Sequence, residues 1–250
     1  MKRTKLYEYL ENVGVFFFFI IDSYKSVKPF PPFKHIFKDF YEMSIKSLPI
    51  IILTASFMGI IMSYQLIQEL RSFGAETYVG GIVGIAILRE LGPVFAALIL
   101  AGRLSSGIAA EIGSMRISEQ IDALEMMAVN PQNYLVAPRF IAAGLMIPLL
   151  TVITDVIAIA GAYLVAAKIL HIPLMKYIDN VSYYVESIDV ISGLFKSFVF
   201  SQIIALVGAY FGFFTKGGAE GVGKSTTNAV VYASILILLA DYFLTSLFFR

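Results

Sequence analysis

The 250-residue sequence contains no cysteine, no tryptophan and two histidines, and only 15% of its residues are charged. Without cysteine there can be no disulfide, no thiolate metal site and no cysteine nucleophile. His35 and His171 are too few and too scattered for a histidine metal cage, so no metal site, cofactor site or catalytic residue is expected. A formal net charge of +1, with no basic run interleaved with aromatics, gives no pull toward nucleic acid. A cleavable export signal is not expected either. The apolar stretch Val13–Ile21 is short and no small-residue cleavage site follows it.

What is abundant is apolar surface. Hydrophobic residues make up 58% of the chain and the mean hydropathy is +0.79, against roughly 45–50% apolar in soluble domains. The bilayer is the solvent that suits such a chain, and an all-α membrane protein follows. A membrane helix needs about 20 mostly apolar residues. Five stretches qualify, at about 47–68, 77–102, 140–167, 197–215 and 225–249. Val13–Ile21 is bracketed by charges and followed by Pro29-Phe30-Pro31-Pro32, so it reads as a helix lying in the membrane interface; a sixth span there is the alternative. Residues 1–46 then form an N-terminal cytoplasmic and interfacial segment, and 47–249 the transmembrane domain.

Lys and Arg collect on the cytoplasmic side of membrane proteins. Lys2, Arg3, Lys5, Lys25, Lys28, Lys34, Lys38 and Lys46 precede the first span. Alternation through five spans puts Arg103, Arg116, Arg139, Lys216 and Lys224 on that same side. Arg71, Lys168, Lys176, Lys196 and Arg250 fall opposite, among Asp179, Glu186 and Asp189. The bias predicts a cytoplasmic N-terminus and an external C-terminus. The cytoplasmic segment between the second and third spans, about 105–131, carries Ile117, Ile121, Leu124 and Ala128 at helical spacing beside an acidic stripe of Glu119, Asp122 and Glu125. An amphipathic helix held there suits a partner's groove. The other reading, a helix lying on the membrane surface, fits the acidic stripe less well, because anionic headgroups repel it.

Gly218-Ala219-Glu220-Gly221-Val222-Gly223-Lys224-Ser225 satisfies the phosphate-loop pattern G-x-x-x-x-G-K-[ST]. That loop works at a strand-to-helix turn of a soluble core, and here it lies between two membrane spans. A tight Gly-rich turn, with Ser225-Thr226-Thr227 opening the fifth span, is expected instead. Arg89-Glu90 lies in the second span just before Gly92-Pro93, while Asp155 and Asp241 lie in the third and fifth. Ionisable groups at that depth face a bundle interior and pair, and Asp155 and Asp241 are the charge candidates for Arg89. These four residues form an expected intramembrane polar network that organises the helices. The end of the first span and its continuation present Met62, Tyr64, Leu66, Leu70 and Phe73, large apolar side chains that suit acyl chains as well as they suit ordinary packing.

Leu88-Arg89-Glu90-Leu91-Gly92-Pro93-Val94 resembles the LRELGPV signature of the MlaE-type (YrbE-like) permeases of MCE-associated phospholipid ABC transporters. The similarity continues through Ala110–Arg116, Glu119–Leu124, Met126–Pro131, Pro148–Thr151, Lys196–Phe200, Gly217–Thr227 and Asp241–Thr245, covering roughly residues 45–247. The resemblance implies a homodimeric permease in a bacterial inner membrane that does not itself hydrolyse ATP. It implies a cytoplasmic ABC ATPase dimer, a hexameric ring of a periplasmic MCE-domain protein, often a small STAS-like subunit, and phospholipid as cargo. It further implies that Glu111, Arg116, Glu119, Asp122 and Glu125 belong to the helix coupled to the ATPase, and that the lipid pocket involves Met62, Leu66, Leu70 and Phe73. Other classes are a secondary transporter driven by an ion gradient, with Glu90, Asp155 and Asp241 as relay, and a membrane anchor for an outer lipid-binding ring. A lipid-modifying enzyme is disfavoured by the missing His, Cys and metal constellations.

Overall fold

The computed structural model describes residues 2–249, with side chains from residue 11 onward apart from residue 12. The described residues are helical throughout, joined by short turns. In order the α-helices are α1 (Lys2–Lys25), α2 (Phe33–Ile45), α3 (Leu48–Arg71), α4 (Val79–Ala86), α5 (Gly92–Leu100), α6 (Ser106–Ile117), α7 (Gln120–Met126), α8 (Ala137–Leu170), α9 (Leu174–Tyr184), α10 (Ser187–Phe213) and α11 (Gly218–Phe248). Among the described residues five helical stretches are long and apolar enough to cross a membrane: Leu48–Arg71, Glu76–Ile117, Gln132–Leu170, Ser187–Phe213 and Gly218–Phe248. The chain is thus an all-α membrane protein, and α1, which contains Val13–Ile21, is not among the five.

The first span shows why lipid is its solvent. Pro49 sits in the opening turn of α3, where its missing N–H leaves no bond unmade. Ile51, Ala55, Met58, Gly59, Ser63 and Ile67 form the buried face. Ile50, Ile52, Leu53, Phe57 and Ile61 lie exposed on the other side. A helix that is apolar all round, with one face uncovered, is stable only where hydrocarbon covers that face.

Every span except the first extends well beyond its apolar run. The second is a continuous helical stretch from Glu76 to Ile117, containing π-helical turns at Ile87–Leu91 and Ala101–Ser105. A third π-turn, Gln132–Val136, leads into α8. Two of the three lie immediately before a glycine or alanine followed by proline, Gly92-Pro93 and Ala137-Pro138. A proline supplies no N–H to the preceding turn, and a wider i→i+5 turn is one way to pass it.

Contacts divide the chain into two compact units, one of residues 1–42, 101–143 and 202–235, the other of 43–100, 144–201 and 236–250. In the first, Phe19 packs among Tyr210, Phe213 and Phe214. In the second, Ala55, Met58, Ile67, Val79, Val83, Ile87, Ala158, Ala162 and Ala166 form the core. There α9 lies on α4: Tyr177, Val181 and Tyr184 pack against the bare backbone of Gly80, Gly81 and Gly84, and Asn180 accepts the Gly81 N–H at 2.6 Å.

Candidate functional site

The polar centre of the second unit is built around the interruption at Arg89–Pro93. In an α-helix the carbonyl of Arg89 would accept from residue 93, but Pro93 has no N–H. The Gly92 N–H, which would serve Leu88, instead reaches Ile87. Helix α10 meets this break with two residues. Lys196, fully buried, donates to the Arg89 carbonyl at 3.1 Å, to Glu90 Oε2 at 2.6 Å and to the Thr245 hydroxyl at 2.7 Å. It also pairs with Asp241 Oδ1 at 3.0 Å. The Thr245 hydroxyl lies within reach of Glu90 Oε1 (3.0 Å) and of the Asp241 carbonyl (2.9 Å). One turn earlier Gly193 lies against the Leu88 carbonyl so closely that a Cβ would stand 2.2 Å from the oxygen.

Arg89 points elsewhere. Its guanidinium bonds Asp189 Oδ1 through Nε (2.9 Å) and Nη2 (2.6 Å) and lies 3.8 Å from the centre of the Phe249 ring. Asp189, buried, also accepts the Glu186 N–H at 3.0 Å, an acidic side chain capping the first turn of α10. The charge partner of Arg89 is therefore Asp189, not Asp155 or Asp241. Glu90 and Asp241 meet through Lys196. Asp155 stands apart from them: its carboxylate lies against Gly92, where a Cβ would come 1.7 Å from Oδ1. That oxygen has no hydrogen-bond partner among the described residues.

The segment expected to be one amphipathic helix is two. α6 ends at Ile117, Glu119 takes a left-handed conformation (φ 58), and α7 begins at Gln120. The Ser118 hydroxyl donates to the Ser114 carbonyl at 2.8 Å, a side-chain bond that competes with helix continuation. An Arg116–Asp122 ion pair bridges the bend. Glu111 pairs with the buried Arg139 at 2.7 Å. Ile121 is buried, Glu119 and Glu125 are exposed, and Met126 and Met127 project with 88% and 65% of their surface bare.

Met62, Leu66, Leu70 and Phe73 follow one stripe at i, i+4, i+8 and i+11 of α3 and the turn after it. Leu66 and Leu70 spend part of their surface on the core of their unit, Met62 is half-buried, and Phe73 is 81% exposed. The phosphate-loop look-alike differs from its expected turn. Gly217 and Gly218 have positive φ, and the motif from Gly218 to Ser225 lies in helix α11. Lys224 pairs with Glu220 at 2.7 Å, one turn apart and largely exposed. A phosphate cradle needs free loop amides ahead of a helix, and Val222–Ser225 lie inside one.

The sequence is similar to those of known proteins. The profile of the family described as Permease MlaE matches residues 36–247. A protein of Rickettsia prowazekii named "Probable ABC transporter permease protein" is 41% identical over 244 residues, covering 97% of this chain and 94% of its own. The intermembrane phospholipid transport system permease protein MlaE of Haemophilus influenzae is 35% identical over 224 residues, with 87% and 84% covered. The chloroplastic protein trigalactosyldiacylglycerol 1 of Arabidopsis thaliana is 37% identical over 205 residues, 82% of this chain and 59% of its own.

Proposed function

The chain belongs to the MlaE permease family of ABC transporters, and on that premise we propose that it is the membrane-spanning subunit that moves phospholipid, worked by a separate cytoplasmic ATPase. The observation that carries the reading is the bent α6–α7 segment. α7 is a short helix set off at Glu119, braced by Arg116–Asp122, and it presents Met126 and Met127 to the outside. Large exposed methionines beside carboxylates suit a partner's groove. With the Lys and Arg bias, that segment and the N-terminus face the cytoplasm, in a bacterial inner membrane.

Phospholipid enters along the Met62–Phe73 stripe. It flanks the buried face of α3 without being absorbed by it, so a second copy of the chain completes a lipid-holding surface. On the opposite side of the membrane the partner is a periplasmic MCE-domain ring. Photo-crosslinkers at Met62 and Leu70 test the pocket: capture of phospholipid at either position supports it. Capture only from α10, with none from the stripe, moves the pocket elsewhere.

A second reading draws on one observation, the buried Asp155 carboxylate with an unbonded oxygen, which suits an ion-coupled carrier. Under that reading transfer collapses with an ionophore and ignores ATP.

A further inference from the structure

We propose that Lys196 is a positioning residue whose task is to replace the hydrogen bond that Pro93 removes from the second span, and that it thereby fixes the Glu90 carboxylate at the break. The inference rests on the backbone geometry and is independent of what the protein carries.

Three facts bring Pro93 and Lys196 together. Position 93 is the α-helical donor for the Arg89 carbonyl, and a proline there donates nothing. The Lys196 Nζ lies 3.1 Å from that same carbonyl oxygen, and Lys196 is completely buried. The next carbonyl upstream, Leu88, has lost its α-helical donor because the Gly92 N–H bonds Ile87, and Gly193 of α10 lies directly against it. One face of α10, at positions 193 and 196, therefore covers both carbonyls left by the break.

In the hydrocarbon region an unbonded backbone carbonyl is costly, since no water replaces the lost donor. Side chains of neighbouring helices are a recognised source of substitutes. A lysine amine carries three N–H bonds, enough to serve the Arg89 carbonyl, the Glu90 carboxylate and the Thr245 hydroxyl together, while Asp241 lies beside it. A charge-balancing role alone would require only the carboxylates. The carbonyl contact is the part that connects Lys196 to Pro93. It also explains why a long, buried cation sits on α10 opposite a proline three residues past Glu90. Because the same nitrogen holds the carbonyl and Glu90 Oε2, the position of the carboxylate is set by the shape of the break.

The sequence makes this contact observable, because Arg89-Glu90 is its only Arg-Glu pair. In the full chain in lipid nanodiscs, labelled with carbonyl-13C arginine and 15N glutamate, the one directly bonded 13C–15N pair reports the Arg89 carbonyl alone. Loss of a hydrogen bond moves a carbonyl 13C resonance upfield. Lys196→Met is expected to move it upfield, and Pro93→Ala combined with Lys196→Met to move it back, because residue 93 then has an N–H to give. Thermal stability is expected to follow: the loss caused by Lys196→Met is smaller in the Pro93→Ala background than in the wild type. An Arg89 resonance that does not move in Lys196→Met overturns the proposal, as does a Lys196→Met penalty of equal size in both backgrounds. If Lys196→Met alone does not accumulate, recovery of folded protein on adding Pro93→Ala supports the proposal, and no recovery counts against it.

Discussion

Replacing Gly193 with alanine tests how tightly α10 is held against the break in the second span. An added Cβ would lie 2.2 Å from the Leu88 carbonyl oxygen and 3.2 Å from Pro93 Cγ. Even favourable carbon–oxygen contacts between backbones settle at about 3.3 Å or more, so α10 must withdraw by about 1 Å. Neither side can turn away, because the obstacle is main chain and not a flexible side chain. Overpacking of this kind costs about 1–3 kcal/mol. Withdrawal also lengthens the bonds of Lys196 three residues on, and one bond to a charged group is worth about 1.5–3 kcal/mol. The two contributions together amount to about 2.5–6 kcal/mol, and about 3 kcal/mol alone lowers the melting temperature by roughly 6–12 °C for a chain of this size. The assay is thermal unfolding in nanodiscs, with Gly223→Ala as control, since a Cβ at 223 meets nothing within 4 Å. A Gly193→Ala melting temperature within about 2 °C of wild type would refute the close packing on which the carbonyl-covering role of α10 depends.

Three further outcomes follow from the other regions. Reversing Glu119 and Asp122 to lysine is expected to release or uncouple the ATPase while the chain still inserts. Misplaced like charges in an interface cost several kcal/mol, whereas the exposed Arg116–Asp122 pair contributes no more than about 1 kcal/mol to folding; co-purification and ATP-dependent transfer measure the two effects separately. Lys224→Ala is expected to leave nucleotide affinity of the complex unchanged, and loss of azido-ATP labelling on this chain in that variant would contradict it. Burial raises the Asp39 carboxyl above its ordinary range, with Arg139 opposing and Glu111 adding to the rise. A raised acid contributes its stability below its unfolded pKa and loses it as pH climbs through the folded value. Asp39→Asn is therefore expected to melt higher than wild type at neutral pH, with the gain narrowing as pH falls toward about 4.

The five membrane-length helices were legible in the sequence, because apolar runs of that length have few other uses, whereas α2 and α9 were not. The polar centre was only half legible. Arg89, Glu90 and Asp241 stand out as charges inside apolar runs, but hydropathy ends the fourth run at Lys196 and leaves Asp189 in the preceding loop. The helix begins at Ser187, so both residues join the network, and the two partners that complete it carry the external charges of a simple alternation count. The acidic residue three positions after Glu186 was the available signal, since it marks a helix start. The bend at Glu119 left only a weak trace, the serine at position 118. Hydrophobic spacing runs through Ile117, Ile121 and Leu124 without interruption, and neither glycine nor proline marks the left-handed residue. What accompanies the bend is the local Arg116–Asp122 pair and the burial of Ile121. The proposed lipid stripe differs again. Its spacing is readable, but the same large apolar side chains at helical spacing serve ordinary packing and acyl-chain contact equally well.

The measurement that bears most directly on the central claim is phospholipid transfer by the affinity-purified complex in proteoliposomes, with its partners and lipids identified by mass spectrometry. An ABC ATPase and phospholipid are expected bound with this chain, and transfer is expected to require ATP and to survive an ionophore. A complex without an ATPase, transferring lipid at the same rate with ATP removed and stopping when the ion gradient is dissipated, would contradict that claim.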